Sequence, residues 1–229
     1  MEVLNDIVFR VDIDTLLARL HIDKESEDAK DIQHLLQSAA SVARPKAIYE
    51  VSYIQHKSHN TVNIGGVTFA SRVLRLNLDK VERVFPYIAT CGRELDEIVA
   101  TTDDFMRQFW LDTIKEMALG ASIKYLDDYL KKRYALGQVS KMNPGSGAKD
   151  LWPIEEQKQL FSIFGNVKDL IGVELTDSFL MVPNKSVSGI YFPTEIRFQS
   201  CQLCPREVCS GRQAPYDKNL LQEYYKDRT

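Results

Sequence analysis

The chain has 229 residues, of which 44% are hydrophobic and 27% charged, and no apolar run approaches the roughly 18 residues that a membrane-spanning helix needs. Its 29 Lys and Arg against 32 Asp and Glu give a net charge of -3, which argues against a nucleic-acid partner. The first residues contain acids and no continuous apolar segment, so they do not resemble a signal peptide, and we expect a cytoplasmic protein with no membrane partner.

Residue patterns in the first half of the chain predict two helices and several strands. Apolar residues at helical spacing predict the helices Ile13–Leu20 and Glu27–Val42. β-Branched and aromatic residues predict strands over residues 47–54, over residues 61–69 with a break at Gly65-Gly66, and over Arg83–Thr90. Cys91 follows the last of these strands at a predicted strand-to-helix turn.

The second half begins with a long central helix, for which Asp103 is a candidate N-cap and which ends near Tyr134. A Gly- and Pro-containing loop over residues 137–153 and a helix over residues 154–164 are predicted next. Strand-like runs over residues 173–181 and 186–192 are expected to form a hairpin. No repeat or linker divides the chain. The order of elements therefore predicts one α+β domain, residues 1–229, with a mainly antiparallel sheet and a long central helix.

Residues 142–192 contain the motifs NPGSG, WPIEEQKQLFSIFG and IGVELTDSFLMVPNKSVSGIYF in that order. This segment resembles the activation domain of cobalamin-dependent methionine synthase, most specifically in SVSGIYF. The segments ARPKAIYEV and PYIATCGRELDE extend the similarity weakly and look like stand-alone versions of that domain.

The resemblance implies a stand-alone reactivation subunit that binds S-adenosylmethionine. It would dock on a corrinoid protein, or on the core of methionine synthase, in trans and support reductive methylation of Co(II) cobalamin. A reductant protein is a further possible partner. No catalytic triad or carboxylate pair stands out in the sequence. The protein's contribution would be positioning, while the corrinoid carries the reactivity, so whether the chain is itself an enzyme stays open.

The resemblance also assigns four residues to S-adenosylmethionine. The Pro-Gly loop of the family matches Lys141, Asn143 and Gly145, with Lys141 where the family has arginine. Lysine offers a ligand carboxylate a point charge rather than a planar fork. Asp14 is the candidate for the family's N-terminal aspartate, which meets the ligand's amino group. The alternative interpretation is that NPGSG binds no ligand and is only a flexible turn.

A second set of residues is expected to face the corrin ring, because it occupies the position at which the family meets that ring. The apolar members would lie on the macrocycle and the serine hydroxyls would reach its amide side chains. The set comprises Met181, Pro183, Ser186, Val187 and Ser188. As an alternative, Val187 is an inward-facing strand residue, and both roles are compatible because a strand has two faces.

Three of the four cysteines lie close together in a predicted cysteine loop, residues 199–212. Cys201, Cys204 and Cys209 have a spacing that suits one metal centre, and Cys91 is a candidate fourth thiolate whose pKa a helix N-terminus would lower. An iron-sulfur cluster, a structural zinc and free thiols remain alternatives.

Two other functions stay open from the sequence. One is an iron-sulfur electron-transfer protein that activates corrinoid proteins reductively and has no methyl-donor site. The other is a non-catalytic adaptor with a structural zinc.

Overall fold

The computed structural model describes residues 1–99, 104–148, 151–209 and 211–225, which form ten strands and eight helices. The strands are β1 (Glu2–Leu4), β2 (Lys46–Tyr49), β3 (Ser52–Lys57), β4 (Thr61–Ile64), β5 (Val67–Ala70), β6 (Arg83–Thr90), β7 (Val139–Met142), β8 (Glu174–Leu175), β9 (Met181–Val182) and β10 (Ser186–Pro193). The helices are α1 (Ile13–Leu20), α2 (Glu27–Val42), α3 (Arg72–Asn77), α4 (Glu94–Val99), α5 (Phe105–Tyr134), α6 (Gln157–Ser162), α7 (Val167–Ile171) and α8 (Lys218–Tyr225). Two short 3₁₀ helices, Ile154–Glu156 and Ser200–Leu203, complete the secondary structure.

The sheet is antiparallel and is built around β6, seven of whose eight residues are buried. One edge of β6 pairs with β2 and then β3, which lead outward to β1 and to the β4–β5 hairpin. The other edge pairs with β10, which in turn pairs with β7. Strands β8 and β9 form a separate two-stranded sheet.

Each of the longer helices has an N-cap residue whose side chain accepts a hydrogen bond from a backbone N–H of the first turn. Such caps are expected, because the first N–H groups of a helix have no partner within the helix. Asp12 caps α1 through Thr15 N at 3.2 Å, and Ser26 caps α2 through Ala29 N at 3.3 Å. Asp104 caps α5 through Met106 N at 2.8 Å. The candidate cap Asp103 lies outside the described residues.

Helix α5 has two environments along its 30 residues. Its first half packs against α1 and α2 through Trp110 and Ile114, whereas its second half covers one face of the sheet through Leu126 and Leu130. The opposite face is covered by α7 and the residues before it, through Phe164, Val167 and Ile171 against Ile48 and Ile88 of the sheet. The central strands of the sheet are therefore enclosed on both faces.

The α+β class, the antiparallel sheet and the long central helix are confirmed. The predicted hairpin between residues 173–181 and 186–192 is wrong, because β9 pairs with β8 while β10 pairs with β6 and β7. The predicted loop over residues 137–153 contains the strand β7. Among the described helices, none combines the length and the apolar character required to cross a membrane.

Candidate functional site

The Pro-Gly loop leaves the end of β7 and is held as an ordered turn. Gly145 N donates to Trp152 O at 2.8 Å, and Ser146 N donates to Asn143 O at 3.1 Å. Gly145 has φ +75°, and a Cβ at this position would lie 3.1 Å from the Ile154 side chain. Glycine is therefore required by both the backbone conformation and the close approach of Ile154.

Asn143 joins the loop to the two central strands. Its Nδ2 donates to the Tyr87 hydroxyl and to Ser188 O, each at 2.7 Å. A Cβ added to Gly189 would overlap Asn143 Nδ2 and Met142 O, so the glycine of SVSG is what lets β10 approach this amide. The side chain of Asn143 thus has a structural role.

Lys141 is half-buried on β7, directly opposite Tyr191 of β10. Its Nζ lies 5.8 Å from the centroid of the Tyr191 ring, a cation–π geometry. Burial lowers the pKa of Lys141, and the Arg197 charge lowers it further, whereas the Asp127 carboxylate opposes both effects. Lys141 therefore carries its charge in a low-dielectric position where a ligand anion would stabilise it.

Asp127 on α5 and the pair of buried tyrosines complete this part of the site. The Asp127 carboxylate is half-buried and forms an ion pair with Lys131 at 2.7 Å. The Tyr87 and Tyr191 rings lie 4.6 Å apart, and burial raises the pKa of both hydroxyls. Sequence reasoning missed Asp127. The sequence feature that could have identified Asp127 is its position one residue after Leu126, at the edge of the buried stripe of α5.

Asp14 is not brought to this position. It is 55% exposed on α1 and forms an ion pair with Lys24 at 2.6 Å. The helix α1 packs with α2 and the first half of α5, whereas Lys141 lies beside Tyr191, which packs against the second half. Asp127 is instead the acid whose charge acts on Lys141, where it raises the pKa of the lysine.

The five residues expected to face the corrin ring do not share one surface. Met181 is half-buried against the α7 side of the sheet, whereas Val187 packs on the α5 side. Pro183 is buried, and Ser186 is half-buried with its Oγ donating to Thr90 Oγ1 at 2.9 Å. The expectation is wrong for Ser188, which is only 2% exposed, because its hydroxyl donates to Gln157 Oε1 at 2.9 Å inside the protein.

Gln157 connects the second of the three sequence motifs with two separate parts of the third. Its Oε1 accepts from Ser188 of SVSG, and its Nε2 donates to Phe179 O of LTDSF at 3.0 Å. Gln157 is only 4% exposed, so a buried amide with both groups satisfied fixes the relative positions of α6, the turn before β9, and β10. The sequence identified the motifs but not this connection.

The turn between β9 and β10 contacts a part of α5 that carries exposed apolar side chains. Lys185 forms an ion pair with Asp112 of α5 at 2.8 Å, which places this turn beside the first third of that helix. Phe105 is 79% exposed and Phe109 51% exposed, and both lie on the helical stripe that includes Asp112. On the turn side Leu180 is 57% exposed.

The cysteines are not gathered into one centre. Cys91 is fully buried in the core between α1, α2 and α5, whereas the cysteine loop packs through Leu203 against a different core that contains Trp152. Burial raises the pKa of Cys91 to about 12, so the expected lowering by a helix N-terminus is wrong. In the portions of the chain that the structure describes, no three His, Cys, Asp or Glu side chains are placed to hold a metal ion. The residues present do not fit a four-thiolate cluster or zinc site.

The fold and site define an α+β domain with an antiparallel sheet, a long helix across one face, and an ordered Pro-Gly loop beside a half-buried cation. Residues 128–204 match the family model described as vitamin B12 dependent methionine synthase, activation domain. The match includes β7, the Pro-Gly loop and β10, and it confirms the resemblance seen in the sequence.

A solved structure agrees with this result. The chain is similar to the crystal structure of the MetH reactivation domain bound to AdoHcy, with a TM-score of 0.54 and 15% sequence identity. The similarity covers 86% of this chain and 82% of that chain, so it confirms the fold over most of the length. No curated protein matches the chain.

Proposed function

We propose that this protein is a stand-alone reactivation subunit. It binds S-adenosylmethionine at the Pro-Gly loop and docks in trans on a corrinoid protein, either methionine synthase or a related corrinoid methyltransferase. There it supports reductive methylation of Co(II) cobalamin. The observation that carries the proposal is the half-buried Lys141 amine, which lies over the Tyr191 ring near the end of the strand that leads into the loop.

The charges at this position suit the amino-acid end of S-adenosylmethionine. Lys141 offers a cation to the ligand carboxylate, and Asp127 offers an anion to the ligand amino group. Backbone groups at Asn143 and Gly145 are the family's remaining contacts. When bound, S-adenosylmethionine supplies the methyl group, and the electron comes from a separate reductant protein. The residues of this chain hold and orient the donor.

Docking on the corrinoid partner is supported by the apolar surface around the β9–β10 turn. An exposed patch of this kind on a protein with a small net charge favours transient association through local complementarity. Phe105, Phe109 and Leu180 are its exposed members. The Lys185–Asp112 ion pair keeps the turn and the helix together in this surface.

The ligand site is tested by calorimetry with S-adenosylhomocysteine and with 5′-methylthioadenosine, which lacks the amino-acid end. We expect the first to bind more tightly, and we expect Lys141→Ala to weaken it by about tenfold or more, the value of one charged hydrogen bond. Lys141→Arg should retain binding and Asp127→Asn should reduce it. Asp14→Asn serves as the matched control and should leave affinity unchanged. Absence of binding, or wild-type affinity in Lys141→Ala, would refute the ligand site.

Docking is tested separately with the cobalamin-loaded corrinoid domain of a methionine synthase. Phe109→Glu should abolish association while leaving affinity for S-adenosylhomocysteine unchanged. Ile196→Glu is the control, because Ile196 is 82% exposed but lies beyond the opposite end of β10. Equal loss of association in both variants would show that the surface around the β9–β10 turn is not the docking site.

A further inference from the structure

Cys201 lies on the 3₁₀ helix Ser200–Leu203 of the cysteine loop, and Cys204 is the residue that caps the end of this helix. Cys204 N donates to Cys201 O at 3.2 Å, closing the turn between the two residues. A turn of this kind brings the Cα atoms of residues i and i+3 to within 7 Å, which overlaps the separation that disulfides span. Both side chains are partly accessible, whereas Cys91 is buried.

The loop is organised by the guanidinium of Arg212. Its Nη1 donates to Cys201 O at 3.3 Å and to Ala214 O at 3.2 Å, and its Nη2 donates to Cys204 O at 3.4 Å and to Arg206 O. The carbonyls of both cysteines are therefore held by one side chain. Gln213 N donates to Cys201 Sγ at 3.5 Å, so the sulfur of this cysteine is also held within the loop.

The turn with the cysteines lies directly against the Pro-Gly loop. A Cβ on Gly147 would contact Ser200 Cβ and O at 3.3 Å, and Ser200 is the first residue of the 3₁₀ helix. Phe198 N also donates to Ser140 Oγ at 2.8 Å, next to Lys141. A change in the conformation of residues 200–204 is thus transmitted to the backbone on both sides of the Pro-Gly loop.

We infer that Cys201 and Cys204 form a redox-active dithiol whose oxidation alters the Pro-Gly loop. This inference replaces the metal centre that the residues do not fit, and it stands independently of the proposed ligand. In a reducing compartment a reversible disulfide is typical of catalytic or sensing sites. The oxidant is a small-molecule disulfide such as oxidised glutathione.

The reaction proceeds by thiol–disulfide exchange. Cys201 loses its proton to solvent, and its sulfur attacks one sulfur of the small disulfide, forming a mixed disulfide and releasing one thiol. Cys204 then loses its proton and attacks Cys201 Sγ, which releases the second thiol. The two cysteines lose two electrons, and the small disulfide gains them. Movement of Cys201 Sγ toward Cys204 breaks its contact with Gln213 N.

The inference is tested on the full chain with oxidised glutathione, using thiol counting and peptide mass mapping. We expect a Cys201–Cys204 disulfide to form, the exposed Cys209 to carry at most a glutathione adduct, and the buried Cys91 to stay a free thiol. Cys209→Ser should give the same disulfide, whereas Cys201→Ser and Cys204→Ser should each retain a glutathione adduct on the remaining partner. An intramolecular disulfide that includes Cys209, or no intramolecular disulfide, would overturn the inference. So would one equivalent of iron or zinc held by these thiols in anaerobically purified protein.

The coupling to the Pro-Gly loop has its own measurement. Amide hydrogen exchange at residues 143–147 should change on oxidation and return on reduction, while exchange in the β4–β5 hairpin stays constant. Unchanged exchange at residues 143–147 in protein that carries the disulfide would overturn the coupling. This readout requires no ligand, so a failure here is distinct from failure of the proposed function.

Discussion

Replacing Gln157 tests whether SVSG is an internal connection or a ligand surface. Its amide makes two hydrogen bonds, to Ser188 Oγ at 2.9 Å and to Phe179 O at 3.0 Å. Gln157→Ala removes both bonds and leaves the buried Ser188 hydroxyl without a partner. Each lost bond costs about 1 kcal/mol of stability, and the unpaired hydroxyl costs about 1–3 kcal/mol more. We expect the free energy of unfolding to fall by about 3–5 kcal/mol.

A double-mutant cycle with Ser188→Ala isolates the shared bond. The two substitutions remove the same interaction, so their effects should fall short of additivity by about 1 kcal/mol. Urea unfolding followed by tryptophan fluorescence measures all four free energies. Additive effects would refute the internal role. A Ser188→Ala variant with unchanged stability and weakened association with the corrinoid partner would show that this hydroxyl faces the partner.

Three other predictions follow from the contacts of single residues. Gly189→Ala should cost about 1–3 kcal/mol in denaturant unfolding because its Cβ overlaps Asn143, whereas Gly120→Ala, whose Cβ meets nothing in α5, should stabilise by about 0.5–1 kcal/mol. The Tyr129 and Tyr49 hydroxyls lower the pKa of Glu2, so the stability that its charge contributes is present at neutral pH and is lost as pH falls below 4.5. Glu2→Gln should therefore cost about 1 kcal/mol at pH 7 and progressively less in acid, as measured by unfolding at several pH values. Cys91 should resist alkylation in the folded protein, where Cys209 reacts, and should react after denaturation, as mass spectrometry would show.

The sequence predicted the positions of helices and strands better than it predicted which strands pair with each other. Apolar spacing located α1, α2 and α5, since each helix buries one continuous stripe against its neighbours. The expected hairpin failed because proximity in sequence does not determine pairing. Ser186 of β10 bonds instead to Thr90, 96 residues earlier. Periodicity alone contains no information on such a distant partner.

The strand β7 escaped prediction for a different physical reason. Its sequence VSKM has only four residues, two of them apolar, and its buried Ser140 accepts a hydrogen bond from Phe198 N. Such a strand is specified by its neighbours. The same holds for Asp127, whose importance comes from β7 and β10 bringing Lys141 and Tyr191 toward α5.

The residues of the motifs and of the proposed ligand site therefore divide into two groups with different physical roles. Asn143, Gln157, Ser188 and Gly189 are used within the protein, where they lock β10, α6 and the Pro-Gly loop together. Lys141 and Asp127 instead present opposite charges at the edge of that assembly. A zwitterionic amino-acid group can satisfy both charges, whereas a simple anion satisfies only one and remains opposed by the other. In the proposed function this pair selects the amino-acid end of the donor, and the motifs locked within the protein supply the rigidity that keeps the pair in place.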